Sequence, residues 1–266
     1  MIQFNNQNDW KIVQYQGHDI KAAYSNLGKV WEKQSPTPPT PTFETQYFTV
    51  RMLQNNSNLA FTKGTRFDYD LQYSLDSGTT WNVYNSQIYN LNSGSTIMFK
   101  GTILSDTRTN GSIGNIHSNY NYEVEGNIMS LLYGDDFIGK TVIQYDYVFM
   151  NLFYNNHYLL NVENLVMKAS TLTFCSYLAM FKECNSISKA PVLYAATLAD
   201  GCYQDMFSGC RSLTEITCLA SNISATNCTF NWVNNVASFG TFKTPSATAW
   251  STGTSGIPVN WTRINT

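Results

Sequence analysis

Charge is scarce in this chain. Lys and Arg number 16 and Asp and Glu 18, so charged residues are 13% of the 266, about half of the roughly 25% usual in soluble domains. The basic residues are scattered singly. Without a basic stripe to neutralise phosphates, no nucleic-acid partner is expected. Heptads with flanking charges are missing, which excludes a coiled coil. Apolar runs last only a few residues, well short of the 18 or more of a membrane helix, so no membrane insertion is expected. The three histidines, His18, His117 and His157, are isolated and lack the i,i+4 partner of a metal-binding helix. The chain has no HExxH, no GxSxG, no P-loop and no GxGxxG.

Paired acids do occur, at Asp135-Asp136 and in Glu123-Val-Glu125. They read as solvated positions rather than a glycosidase dyad, with Asp136 pointing away from Asp135 on a strand. A nucleophilic Cys175 or Cys184 would need a nearby histidine base, and the sequence supplies none. No catalytic, cofactor or metal site is therefore expected, and no enzyme. The opening residues, Met1 to Trp10, lack the basic and apolar regions of a signal peptide, which points to folding in a reducing cytoplasm. All six cysteines lie beyond residue 174, at spacings of 9, 18, 8, 8 and 10 that form no CxxC pair. Buried free thiols are the expectation, with a disulfide framework as the alternative.

Aromatic residues are abundant, at 17 Tyr, 15 Phe and 6 Trp. A chain this rich in them builds cores. Pro36, Pro38, Pro39 and Pro41 hold four of the seven prolines, and predict an extended spacer over residues 36–42. It sets off a short N-terminal module, residues 1–35, in which two runs flank Ser25-Asn-Leu-Gly28 and predict a small hairpin. Such a hairpin is marginal alone. Ile20, Tyr24, Val30 and Trp31 would then need a docking surface on a partner, on another copy of the chain, or on the chain's own second domain. Residues 43–126 alternate like strands at 46–53, 67–74 and 96–103, with turn signals between them, and predict an Ig-like β-sandwich.

One stretch fits S-x-D-x-G-x-x-W, the Asp-box: Ser74-Leu-Asp-Ser-Gly-Thr-Thr-Trp81. Asp76 can bond amides across the turn, Gly78 supplies a positive φ, and Trp81 packs beneath. Sialidases carry several such boxes, but as a hairpin staple remote from their chemistry. Asp76, Gly78 and Trp81 are expected to staple a hairpin here.

The C-terminal part, residues 127–266, repeats. Met180 and Met206, Phe181 and Phe207, Cys184 and Cys210, and Ile187 and Leu213 are each 26 residues apart. One step further Trp232 falls on Met206, Val233 on Phe207 and Phe239 on Leu213. One step back, with a two-residue insertion, Phe153 falls on Phe181, and Asn156 stands where cysteine would. Such a period is that of leucine-rich repeats, whose units bury their apolar sides only by stacking. The predicted inner rungs are Phe153, Met180, Phe181, Cys184, Met206, Phe207, Cys210 and Trp232. Two further ladders are Val162, Ala190, Ile216 and Phe242, and Leu165, Leu193 and Leu219. Residues 127–137 would cap the first end, and Trp250 and Trp261 the second, unless those two tryptophans are sugar-stacking platforms.

The Met-Phe-x-x-Cys-x-x-(Leu/Ile) units at Met180–Ile187 and Met206–Leu213 resemble the BspA-type leucine-rich-repeat family. That resemblance implies a surface or adhesion protein of gut Bacteroidetes or of phages that infect them. The N-terminal module with its Pro-rich spacer, and the Leu71–Trp81 stretch before the repeats, are similar to virion proteins of gut Bacteroidales phages. The implied role is a head or tail fibre or decoration protein of a tailed phage, located in the virion and assembled in the host cytoplasm. Its partners would be other virion proteins, further copies of itself, and a bacterial surface glycan or protein. The alternative is a bacterial cell-surface adhesin.

Overall fold

In the computed structural model, the described residues are 22–25, 28–32, 42–85, 87–105 and 111–266. The chain divides into two units, Met1–Thr42 and Phe43–Thr266. In the first, β1 (Ala22–Ser25) pairs antiparallel with β2 (Gly28–Glu32), with Ser25 opposite Gly28. Tyr24 lies on β1, and Val30 and Trp31 on β2. Ile20 and the spacer residues 36–41 lie outside the described residues.

The second unit is mainly β, with one short helix among the described residues. Its first half holds two sheets. The larger runs β6 (Asn82–Val83), β5 (Asp68–Ser74), β8 (Thr96–Ser105), β3 (Phe48–Met52), β10 (Tyr122–Asn127) and β11 (Leu159–Asn161). The smaller joins β7 (Ile88–Leu91), β4 (Ser57–Lys63) and β9 (Gly114–His117). Alternation sends Tyr69 and Leu71 of β5 inward and leaves Asp70 at the surface side. Phe61 of β4 meets Phe99 of β8 at 5.9 Å and Tyr69 at 6.4 Å, so the inner faces of the two sheets share one core. Gly101 on β8 is required there: a Cβ would come within 2.2 Å of the Tyr69 hydroxyl, whose proton goes to the Leu131 carbonyl.

The second half is built mainly from turns. Four runs, 147–155, 175–183, 201–209 and 227–235, each place their first, fifth and ninth residues in the left-handed region, with φ between 50° and 82°. Eight of these twelve positions are Asn, Asp or Gly, the residues that adopt this conformation at least cost. The backbone donors then alternate. Met150, Leu178 and Met206 donate three residues back within their own run, closing β-turns. Asn151, Ala179 and Asp205 donate outward, to Leu178, Gln204 and Phe230 in the next run at 2.9–3.0 Å. Each run thus satisfies its amides half internally and half through its neighbour, which is how a segment without regular strands can be buried.

Opposite the turns, short parallel pairings close the stack. β13 (Glu215–Thr217), β14 (Gly240–Thr244) and β15 (Trp261–Asn265) form a parallel sheet, with Ile216 opposite Phe242. Val162, Ala190, Ile216 and Phe242 are all buried. Three predicted positions move. Met167 bridges Leu193, and Leu193 bridges Cys218, so Met167 takes the place beside Leu193 expected of Leu165, which pairs with Gly126 instead, and Cys218 the inner place expected of Leu219. The interval from Lys189 to Glu215 is 26, but from Leu193 to Cys218 it is 25, and a one-residue slip exchanges inner and outer side chains. Phe239 does not match Leu213: Leu213 is fully buried, whereas Phe239, just before β14 begins, is 71% exposed.

The expected boundary at 126/127 falls inside β10. That strand pairs antiparallel with β3 on one side and parallel with β11 and β12 (Leu165–Val166) on the other, so the two halves share a strand. They also share a core, since Phe48 lies 6.3 Å from Phe99 and 6.2 Å from Phe153. The stretch 127–137 consequently does more than cap. Asn127 pairs with Val166, while α1 (Ser130–Tyr133) packs on β8, with Ser130 Oγ accepting from the Phe48 amide and donating to the Phe99 carbonyl. β9 and the residue before it lie along the first turn run: the Ile113 and Ile116 amides donate to Val148 and Leu152.

Candidate functional site

The repeat residues come together in one column. The Phe153 and Phe181 rings are 5.3 Å apart and 7° from parallel; Phe181 and Phe207 are 5.6 Å and 4°. Centroids farther apart than the ~4.8 Å strand spacing, with planes parallel, describe offset stacking, the arrangement that aromatic quadrupoles favour. A second file runs Phe149, Tyr177, Tyr203, Trp232 and Trp250. Trp232 donates Nε1 to the Gly256 carbonyl at 2.9 Å. Trp250 and Trp261 lie past the last run and direct their indole N–H groups inward, to Thr244 Oγ1 and the Ala237 carbonyl. Every rung residue from Phe153 to Trp232 is buried, Met180, Cys184, Met206 and Cys210 included. None of these can touch a ligand; they shape what surrounds them.

The cysteines do more than fill space. Cys184 Sγ donates to the Phe153 carbonyl at 2.9 Å and Cys210 Sγ to the Phe181 carbonyl at 3.0 Å, each reaching back one run. In the first run Asn156 makes the same bond, Nδ2 to the Ile116 carbonyl at 2.9 Å. The replacement at that position therefore conserves a donor. All six thiols are unbridged and buried. Burial pushes Cys184 and Cys218 up to about 12, so both stay protonated at neutral pH and neither is a nucleophile.

A row of alternating charge crosses the outside of the parallel side. Lys189 pairs with Glu163 and, at 3.3 Å, with Glu215; Lys243 pairs with Glu215 at 3.0 Å. The two lysines hold the Glu215 carboxyl below its usual range against the opposing effect of its burial. The sequence carried the signal, acid, base and acid at steps of 26, at positions 163, 189 and 215.

The staple folds as its motif demands. Asp76 accepts from the Thr80 amide at 2.9 Å, the Thr80 hydroxyl at 2.7 Å and Ser74 Oγ at 2.7 Å, which lower its carboxyl to about 2. Gly78 takes φ +86°, and a Cβ there would touch Trp81 at 3.7 Å. Trp81 also has a second role. Lys100 Nζ stands 4.4 Å over its ring, and Tyr47 meets it edge-on at 4.8 Å. Both reach on to Asp135: Lys100 at 2.8 Å, and the Tyr47 hydroxyl donating at 2.7 Å. Burial first, and then Asp135, raise the Tyr47 hydroxyl to about 12.

Asp135 and Asp136 lie on a 3-10 turn, Gly134–Asp136, and not on a strand; the tight turn follows directly from the end of α1. With Asp70, Gln72, Lys100 and Tyr133 they line a cleft of about 270 Å³. Lys100 and the Tyr47 hydrogen bond hold the Asp135 carboxyl below its usual range, ionised and already paired. Glu123 and Glu125 share one guanidinium, Arg51, at 3.2 and 2.9 Å. Asp135 of the first pair and both acids of the second are thus engaged by cations of the fold. Among the described residues no group of three or more His, Cys, Asp or Glu is placed to hold a metal ion, and no helix is long and apolar enough to cross a membrane.

What the stack leaves outside is a repeating surface. Met150, Leu178, Gln204 and Phe230 occupy the same place in successive runs, with Phe174 edge-on to Tyr147 at 5.2 Å beside them. Phe174, Phe230 and Tyr154 are exposed. The chain matches no protein-family model, no curated protein and no solved structure, so its residues alone carry the functional reading.

Proposed function

We propose that this chain is a structural component of a tailed phage virion, a head or tail fibre or decoration protein. In this reading residues 43–126 are an Ig-like β-sandwich, residues 127–266 a BspA-like leucine-rich-repeat solenoid with caps, and residues 1–35 a docking module on a Pro-rich spacer. The two folded parts act as one rigid body that presents a surface. The observation that carries it is the continuous aromatic core from Phe99 through Phe48, Phe153 and Phe181 to Phe207. It commits the apolar repeat positions to rigidity and leaves the ligand-facing work to the exposed positions between them. Many weak contacts on a multivalent particle give useful avidity without a deep pocket. Six unbridged thiols suit assembly in a reducing host cytoplasm.

The test is mass spectrometry of purified particles, with and without residues 1–35. The full chain is expected in the particle, and the truncated chain is expected to fold, stay soluble and be absent from it. Normal incorporation of the truncated chain refutes the docking role. Absence of the full chain from particles, with its presence on a bacterial surface, replaces the virion reading by a cell-surface adhesin.

A further inference from the structure

Where β6 ends the larger sheet and β7 edges the smaller one, a cleft of about 330 Å³ opens, at the low end of the roughly 300–1,000 Å³ of small-molecule sites. Tyr84 forms its fixed wall. The ring is buried between the sheets, 6.0 Å from Tyr73 at 88°, and its hydroxyl accepts from the Phe61 amide. Around this wall stand Tyr73, Asn85, Gln87 and Tyr89. Tyr89 is 63% exposed, far more than a packed tyrosine. Among the described residues, the side-chain amides of Asn85 and Gln87 form no hydrogen bond, and both also line an adjoining cavity of about 290 Å³.

The chemistry of this lining is selective. It contains no charged side chain, and Lys63 lines only the adjoining cavity, so the cleft itself offers an ionic ligand no ion-pair partner. An apolar ligand would leave two amides unpaired. An uncharged polyol suits it: each amide offers both donors and an acceptor to hydroxyl groups, and an exposed aromatic ring offers an apolar face to the C–H side of a sugar. We infer that this cleft binds the neutral terminal pyranose of an oligosaccharide, stacked on Tyr89 and hydrogen-bonded by Asn85 and Gln87. The inference rests on the presenting role proposed above in taking a surface glycan as ligand; its chemistry comes from the cleft.

The experiment is an array of immobilised neutral oligosaccharides ending in glucose, galactose, mannose or N-acetylglucosamine, read with the full chain. Calorimetric titration of the best binder follows. At least one neutral saccharide is expected to bind. Tyr89→Ala is expected to weaken it at least about ten-fold and Gln87→Ala about three-fold or more, while Tyr89→Phe stays within about three-fold. Tyr194→Ala, at an exposed tyrosine elsewhere, leaves binding unchanged. Binding to acidic saccharides alone, to none of the array, or with undiminished affinity in Tyr89→Ala overturns the inference. A chain that binds sugar yet is absent from particles refutes only the virion role, and one present in particles that binds no sugar refutes only this site.

Discussion

Asp76 concentrates three hydrogen bonds on one carboxylate at the surface, and its acidity reports them. Its carboxyl falls from 3.8 to about 2 on folding, so the stabilisation is complete above the unfolded value and fades as pH drops through the folded one. Asp76→Ala should therefore lower Tm at pH 7. The gap to the native chain should close between about pH 4 and pH 2. Thermal melts across that range check it, and a gap that does not change with pH would deny the staple its charge. Inside the stack the stakes are larger. Met206 is fully buried among the rungs, and Met206→Asp places an unpaired charge there, for an expected loss of roughly 3 kcal/mol or more in urea melts. A near-unchanged midpoint would mean that the rung is not enclosed.

At the scale of the element, the turn runs are as specific as any strand. Gly209 takes φ +82°, and a Cβ there would lie 2.4 Å from the Glu183 carboxylate of the preceding run. Gly209→Ala meets both the left-handed penalty and that contact, and should cost about 2–3 kcal/mol, against about 1 kcal/mol for Gly94→Ala, which has φ +87° but whose Cβ would meet nothing within 4 Å. Paired denaturation curves decide it, and equal losses would leave the inter-run contact without effect. Much of this element was legible. Equal spacing of Met, Phe and Cys identifies the rungs, because stacked units repeat what each must bury. The left-handed positions leave a weaker trace, Asn at every fourth residue of 227–235 and Gly, Asp and Gly in 201–209; Tyr147, Cys175, Ala179 and Glu183 break that pattern in the first two runs. The exchange of Leu219 for Cys218 was hidden for a different reason. A one-residue shortening leaves both residues apolar, and only the pairing tells which one faces inward.

For the whole of residues 43–266, a shared strand and an unbroken file of rings join the two expected domains in one compact unit. Pairing between β10 and two partners far apart in the chain leaves no periodic trace, which is why the boundary at 126/127 looked natural in the sequence. The candidate cleft beside Tyr89 was equally silent there, since Asn85 and Gln87 form no motif and meet Tyr73 only through folding. Calorimetry on residues 43–266 should give one transition, and chains ending at 126 or beginning at 127 should fail to fold alone. Two separable transitions would restore the boundary.

The most direct measurement is a double-mutant cycle at the heart of the stack, with Phe181→Leu and Phe207→Leu singly and together, by urea denaturation. Rings 5.6 Å apart and parallel predict single losses of about 1 kcal/mol or more and a coupling of roughly 0.5–1.5 kcal/mol. Strictly additive losses, within about 0.3 kcal/mol, would contradict the contact and with it the column.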